Sequence, residues 1–177
     1  MILDEIIATN RKLLEKRKEA RPLAELKSVC LNREPPKDAI AALSQPGTSL
    51  IAEVKRASPS LRVISADLDA VSLAKTYQKG GAAAISVLTE TEYFKGSTAD
   101  LEAVRQAVEV PVLRKDFTFD SYQVWEARAI GADMVLLIAA ALPAEAMAPL
   151  YELVNELGMT PLIEVHNREE LERVLEL

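Results

Sequence analysis

The chain has 177 residues, of which 49% are apolar and 27% charged, a balance that fits one folded globular domain and excludes a disordered chain. Its formal net charge of −6 excludes the basic stripe of a nucleic-acid binder, so an anionic ligand must be held by a few local donors. The single cysteine, Cys30, rules out internal disulfides and a cysteine-based zinc site and suits a reducing cytoplasm.

In chain order, Ile2, Leu3, Ile6, Ile7, Leu13 and Leu14 recur at helical spacing and predict an amphipathic helix over 1–20. Asp4 and Glu5 interrupt its first apolar residues, so it is not read as a signal peptide. No later stretch approaches the ~18 uninterrupted apolar residues of a membrane span. Lys16-Arg17-Lys18, flanked by Glu15 and Glu19, reads as a solvated helix face. Pro35-Pro36-Lys37-Asp38 opens a short second helix carrying Ile40 and Leu43, and Gln45-Pro46-Gly47 closes it. Residues 1–47 are therefore predicted to be a helical extension.

From residue 48 the pattern changes. Short apolar runs recur at 50–52, 84–88, 110–113, 134–138 and 161–163. Helical stretches follow at 71–79, 98–107, 121–129, 143–157 and 168–177. Near-continuous apolar strands alternating with amphipathic helices predict an α/β fold whose parallel sheet is covered by helices. Five such βα units over 48–177 make an incomplete (β/α)8 barrel, whose closed form takes about 250 residues. The alternative is a rearranged, flavodoxin-like open sheet.

Parallel sheets bind ligands at the carboxyl ends of their strands. Four of the five runs end in charge: Glu53-Val54-Lys55-Arg56, Thr89-Glu90, Arg114-Lys115-Asp116 and Glu164-Val165-His166. The run ending at Ile138 and Ala139 stays apolar. Alternation puts Glu53 and Lys55 on one side of their strand, and Lys115 and Glu164 at strand tips can face a shared cavity. The expected arrangement is Lys115 facing Glu164, with Glu53 and Lys55 between them. Charges inside apolar strands are costly unless paired, so such a group offers acids, bases and anion ligands together.

The wording around these residues is specific. Ile51-Ala52-Glu53-Val54-Lys55-Arg56-Ala57-Ser58-Pro59-Ser60, Ile85-Ser86-Val87-Leu88-Thr89-Glu90, Tyr93-Phe94-Lys95-Gly96-Ser97, Val112-Leu113-Arg114-Lys115-Asp116-Phe117 and Leu162-Ile163-Glu164-Val165-His166 stand in order. Together they resemble the indole-3-glycerol phosphate synthase family, and the resemblance runs the length of the chain. It implies a (β/α)8 barrel that closes the indole ring of an anionic sugar phosphate with loss of CO2, using no metal and no organic cofactor.

By that resemblance Lys115 is the general acid, Glu164 the general base of dehydration, Lys55 a holder of substrate carboxylate or phosphate, and Glu53 the group that orients the lysines. Ser58 is a phosphate ligand, Ser86 a further substrate contact, and Phe94, Leu113 and Phe117 an apolar wall for the aromatic ring.

Two departures stand out. The family commonly follows Ser-Pro-Ser with Lys-Gly, whereas here Leu61-Arg62 follows, removing a residue free to take positive φ. Sixth to eighth strands, with their phosphate turn, are absent from the sequence, so the chain is expected to be inactive alone. It is expected to be complemented by a chain carrying those strands, or to self-associate through open strand edges. A phosphoribosylanthranilate isomerase would need a Cys/Asp acid–base pair that Cys30 does not supply. His166 reads as a neighbour of the site, Trp125 as packing and Cys30 as an inert thiol.

Overall fold

The computed structural model describes residues 2–60, 62–65 and 67–177; Met1 and Leu61, both included in the readings above, lie outside the described residues. Three helices come first: α1 (Ile2–Ala20), α2 (Leu23–Leu31) and α3 (Ala39–Leu43). α1 turns Ile6, Asn10 and Leu14 inward. α2 is absent from the predicted elements. Nine residues with one fully buried side chain, Leu26, give too short a periodicity to read, and packing holds the helix in place. Asp38 caps α3 by accepting from Ala41 N.

The sheet follows, built from β1 (Ile51–Val54), β4 (Ala84–Leu88), β5 (Val112–Lys115), β6 (Met134–Ile138) and β7 (Thr160–Glu164). The helices α4 (Ala70–Lys79), α5 (Thr98–Ala107), α6 (Ser121–Ile130), α7 (Ala144–Glu156) and α8 (Arg168–Val174) alternate with these strands. A small antiparallel pair, β2 (Ala57–Ser58) with β3 (Arg62–Val63), lies in the loop between β1 and α4.

All neighbouring strands of the sheet are parallel and the order is β1-β4-β5-β6-β7, which is sequence order. A doubly wound sheet reverses its strand order at a switch point, and none occurs here. The flavodoxin-like alternative is therefore corrected: the chain adopts the strand order of a (β/α)8 barrel.

Alternation divides the sheet into two faces. Val54, Ile85, Val87, Val112, Val135 and Leu137 meet the helices, through Ala74, Leu101, Val104, Val124, Ala127 and Val154. Each Val, Leu or Ile side chain buried this way stabilises the fold by about 1.5–3 kcal/mol. The other face carries Ala84, Leu113, Met134, Leu136 and Ile138, with Ala39 of α3 and Ile51 packed against its N-terminal end. α3 thus closes one end of the inner face. The other end carries the charged side chains.

Candidate active site

The strand register sets what shares the inner face. Glu53 pairs with Ser86, and Ser86 with Leu113; Lys115 lies two residues beyond Leu113. On the far side Glu164 pairs with Ile138, in step with Leu136 and Met134. Glu53, Ser86, Leu113, Lys115 and Glu164 therefore look into one concavity at the carboxyl ends of the strands.

Lys115 Nζ donates to Glu164 Oε2 at 3.2 Å, reaching over the end of β6. That strand ends apolar, so no long polar side chain stands between the two groups. Lys55 Nζ donates to Glu53 Oε1 at 2.5 Å. The side chains of Lys115 and Glu164 are 31% and 33% exposed, and those of Lys55 and Glu53 are 32% and 30% exposed, so all four pair yet remain open to a ligand. The placement of Glu53 and Lys55 between Lys115 and Glu164 is corrected. β1 and β7 are opposite edges of the sheet, so Glu53 and Lys55 bind each other on one flank and leave Lys115 to Glu164 on the other. His166 lies against this second pair, with Nε2 3.3 Å from Glu164 Oε1 and Nδ1 3.7 Å from Glu170 Oε2.

Ser86 is buried between the two flanks, and its hydroxyl has no hydrogen-bond partner among the described residues. A buried hydroxyl without a protein partner calls for one, such as a water or a ligand atom. Leu113 is buried on the inner face with Phe117 packed against it, and the Phe94 ring centroid is 6.1 Å from that of Phe117 at an interplanar angle of 44°. The loop bearing Phe94 is pinned by Glu90, whose carboxylate accepts from the backbone N–H groups of Glu92, Tyr93 and Phe94. Gly96 in the same loop passes so near β4 that a Cβ there would sit 2.1 Å from the Leu88 carbonyl oxygen. Ser58 is buried, with Oγ 3.3 Å from Ser60 Oγ.

Behind Lys115 stands a network that the sequence reading missed. Arg114 is fully buried and points away from the cavity. It donates to Thr89 Oγ1 at 3.1 Å, to Gln123 O at 3.0 Å, to Asp116 Oδ2 at 2.9 Å and to Glu126 Oε2 at 2.7 Å. Burial by itself would lower the Arg114 pKa, but the Glu126 and Asp116 carboxylates outweigh it and raise it. Asp116 accepts from Phe117 N and Gln123 donates to Phe117 O, so the network fixes the backbone on both sides of Lys115. The readable signal was strand alternation: a charge between Leu113 and Lys115 must face the helices and needs acids there.

The same network anchors α1. Arg17 donates to Glu126 Oε2 at 2.9 Å and Lys18 to Asp120 Oδ2 at 2.8 Å, a hydrogen bond that raises the Lys18 pKa despite some desolvation. Arg17 and Lys18 are thus docking groups, which corrects the reading of 16–18 as a solvated face; only Lys16 fits it. Thr9 Oγ1 lies 3.3 Å from the Tyr93 hydroxyl, and Arg11 stacks 4.7 Å over Phe119. α1 therefore lies against the loops that follow β4 and β5.

A groove of about 970 Å³ at the opposite end of the sheet is lined by Arg33, Lys37, Arg105 and Arg128. These cations are committed to Ile130 O, Val108 O, Asp133 and the carbonyls of Arg33 and Glu34, so the groove is an assembly joint remote from the chemistry. Among the described residues no cluster of three or more His, Cys, Asp or Glu could hold a metal ion, and no helix is long and apolar enough to cross a membrane.

The model of the indole-3-glycerol phosphate synthase family matches residues 3–177. The chain belongs to the indole-3-glycerol phosphate synthase family. It is 51% identical to indole-3-glycerol phosphate synthase 1 of Streptomyces coelicolor and 50% identical to the synthase of Streptomyces griseus, in both cases over 99% of this chain and 65% of the relative. Identity to the Kineococcus radiotolerans synthase is 52%, over 99% of this chain and 66% of that one. The chain therefore spans about 65% of the length of these synthases. Its fold is similar to that of KGPDC from Streptococcus mutans, with a TM-score of 0.50 at 13% identity over 78% of this chain and 62% of the other.

Proposed function

We propose that this chain carries the ring-closing acid and the dehydrating base of indole-3-glycerol phosphate synthesis, a cytoplasmic step of tryptophan biosynthesis. The substrate is 1-(o-carboxyphenylamino)-1-deoxyribulose 5-phosphate, and the products are indole-3-glycerol phosphate, CO2 and water. The observation that supports this most is Lys115 Nζ held 3.2 Å from Glu164 Oε2 across the apolar end of β6.

As the ring carbon attacks the substrate carbonyl, the Lys115 ammonium delivers a proton to the carbonyl oxygen and balances its growing negative charge. Loss of CO2 follows. Glu164 then removes a ring proton while the hydroxyl formed from the carbonyl leaves as water, a step in which Lys55 serves as proton donor. Glu53, bonded to Lys55, sets that ammonium and balances positive charge on the intermediate. Leu113, Phe94 and Phe117 form the wall for the anthranilate ring, the Ser86 hydroxyl binds substrate, and Ser58 contacts the phosphate. The scheme calls for no metal or organic cofactor.

Each positioned acid or base contributes about 10²–10⁴ in rate only when its geometry is held. With both ion pairs about one-third exposed on an open face, the pocket is only partly enclosed. The isolated chain is expected to give no measurable product, and mixing with a polypeptide that carries the remaining units of a relative is expected to restore it. Lys115→Ala should abolish the restored turnover. Product formation by the chain alone at the rate of full-length relatives would refute the inactivity, and restored turnover that survives Lys115→Ala would refute the assignment. A second reading, self-association through the β1 and β7 edges, is favoured by Leu50, by Leu171 of α8 and by Leu175 just after it, exposed at 58%, 43% and 75%. Light scattering that shows a strict monomer would end it.

A further inference from the structure

Arg62 has φ +54°, a left-handed conformation that costs a residue with a Cβ free energy and suits glycine, the residue the resemblance calls for here. The loss of glycine has therefore not removed the positive φ; an arginine bears it. Nothing in the core requires an arginine, since both residues of β3 are exposed. The other arginines engage a carboxylate, a backbone carbonyl or an aromatic ring: Arg56, for instance, is bound by Asp100, and Arg168 by Glu172. Among the described residues Arg62 has no such partner.

Its position is informative. In the antiparallel pair of β2 and β3, Arg62 is directly opposite Ser58. Residues opposed in this way have backbones about 5 Å apart, within reach of a long guanidinium side chain. The hairpin is tied down where Ile64 N and Ser65 N donate to Arg56 O at 2.8 and 3.1 Å, so the pairing is anchored at its base. Backbone strain kept on an exposed, unpartnered guanidinium beside an anion ligand is the pattern of a side chain retained for binding.

We infer that Arg62 is a phosphate-binding residue of this chain, closing with Ser58 on the phosphomonoester of the sugar-phosphate substrate. The inference rests on the proposed function only in taking Ser58 as a phosphate contact. A guanidinium is suited to the task because its planar donors match phosphate oxygens and keep their protons.

The test is a titration of the ¹⁵N-labelled chain with inorganic phosphate at constant ionic strength, followed by amide shifts, alongside thermal unfolding. Arg62→Gly should raise Tm by about 2–4 °C by relieving the positive φ, and should weaken phosphate binding roughly tenfold, the scale of one charge-assisted hydrogen bond. Arg62→Gln should weaken binding similarly without raising Tm. A structural role alone would move stability and leave binding unchanged. Phosphate affinity that Ser58→Ala reduces but Arg62→Gly and Arg62→Gln leave intact would overturn the role of Arg62 and spare the site. A wild-type chain whose Ser58 and Arg62 resonances ignore phosphate would overturn both.

Discussion

Replacing Arg114 with Met tests whether the acid–base pair rests on the charge network behind it. The substitution keeps the volume of the stem and removes four donated hydrogen bonds from a fully buried site. Removing one partner of a buried ion pair typically costs about 3–5 kcal/mol, because the opposite charge stays behind without compensation. Here the remaining carboxylates keep some partners: Glu126 retains Arg17, and Asp116 retains Thr89 and Phe117 N. The loss should therefore lie at the lower end, about 3 kcal/mol, which for a chain of this size lowers Tm by about 6–12 °C. Arg114→Lys should recover only part of it, since one ammonium cannot span partners arrayed around a planar fork. Urea unfolding followed by circular dichroism and by the fluorescence of Trp125, the single tryptophan, measures the difference. An Arg114→Met chain within 1 kcal/mol of wild type, or an Arg114→Lys chain equal to it, would refute the claim that this network supports the strand carrying Lys115.

The cavity side should behave in the opposite way. Lys115→Met removes an ion pair whose side chains are about one-third exposed, so stability should change by less than about 1 kcal/mol, while product formation in the reconstituted mixture is lost. A large drop in Tm would make Lys115 structural instead. Burial raises the Cys30 thiol above its ordinary value, with its Sγ 3.6 Å from Trp125 O. At pH 8 it should therefore react with iodoacetamide more slowly than free cysteine, because less thiolate forms. A folded-state value above the unfolded one means that this contribution to stability is full below the unfolded thiol value and is lost as pH rises through the folded one. Unfolding titrations should show that alkaline loss reduced in Cys30→Ser, and a slope unchanged by the substitution would contradict it.

Much of the fold was legible because burial on both faces leaves an apolar run that little else imitates. β6 and α5 occupy the predicted residues, 134–138 and 98–107. β5 begins two residues later than its apolar run, after Pro111, and extends into Arg114 and Lys115. Those two charges lie within the strand, each stabilised on a different face. β1 likewise runs past its apolar residues to take in Glu53, which faces the cavity as its alternation with Val54 implied. Alternation within one strand placed Lys115 and Glu164 at the cavity, but their choice of partners depends on the stagger between strands, which no single run records. The Arg114 network escaped the reading because its partners Gln123 and Glu126 come from α6, whose position against the strand no single run records. α2 was hidden because its stability comes from α6 and from the cluster of Leu14, Leu26, Tyr122 and Ala129, not from its own pattern.

The two faces of β5 also divide their cations by chemistry. Arg114 stands where a charge must stay fixed, and a guanidinium does not release its proton in a protein. In the proposed reaction Lys115, one residue on, gives up a proton, which an ammonium can do. Because adjacent residues of a strand face opposite ways, one short segment holds a permanent charge against the helices and a labile one against the cavity. Exchanging the two residue types would keep the net charge of the strand and reverse both properties. The order of Arg and Lys in Val112-Leu113-Arg114-Lys115, rather than the charge of the strand, is what the proposed acid–base chemistry requires of this segment.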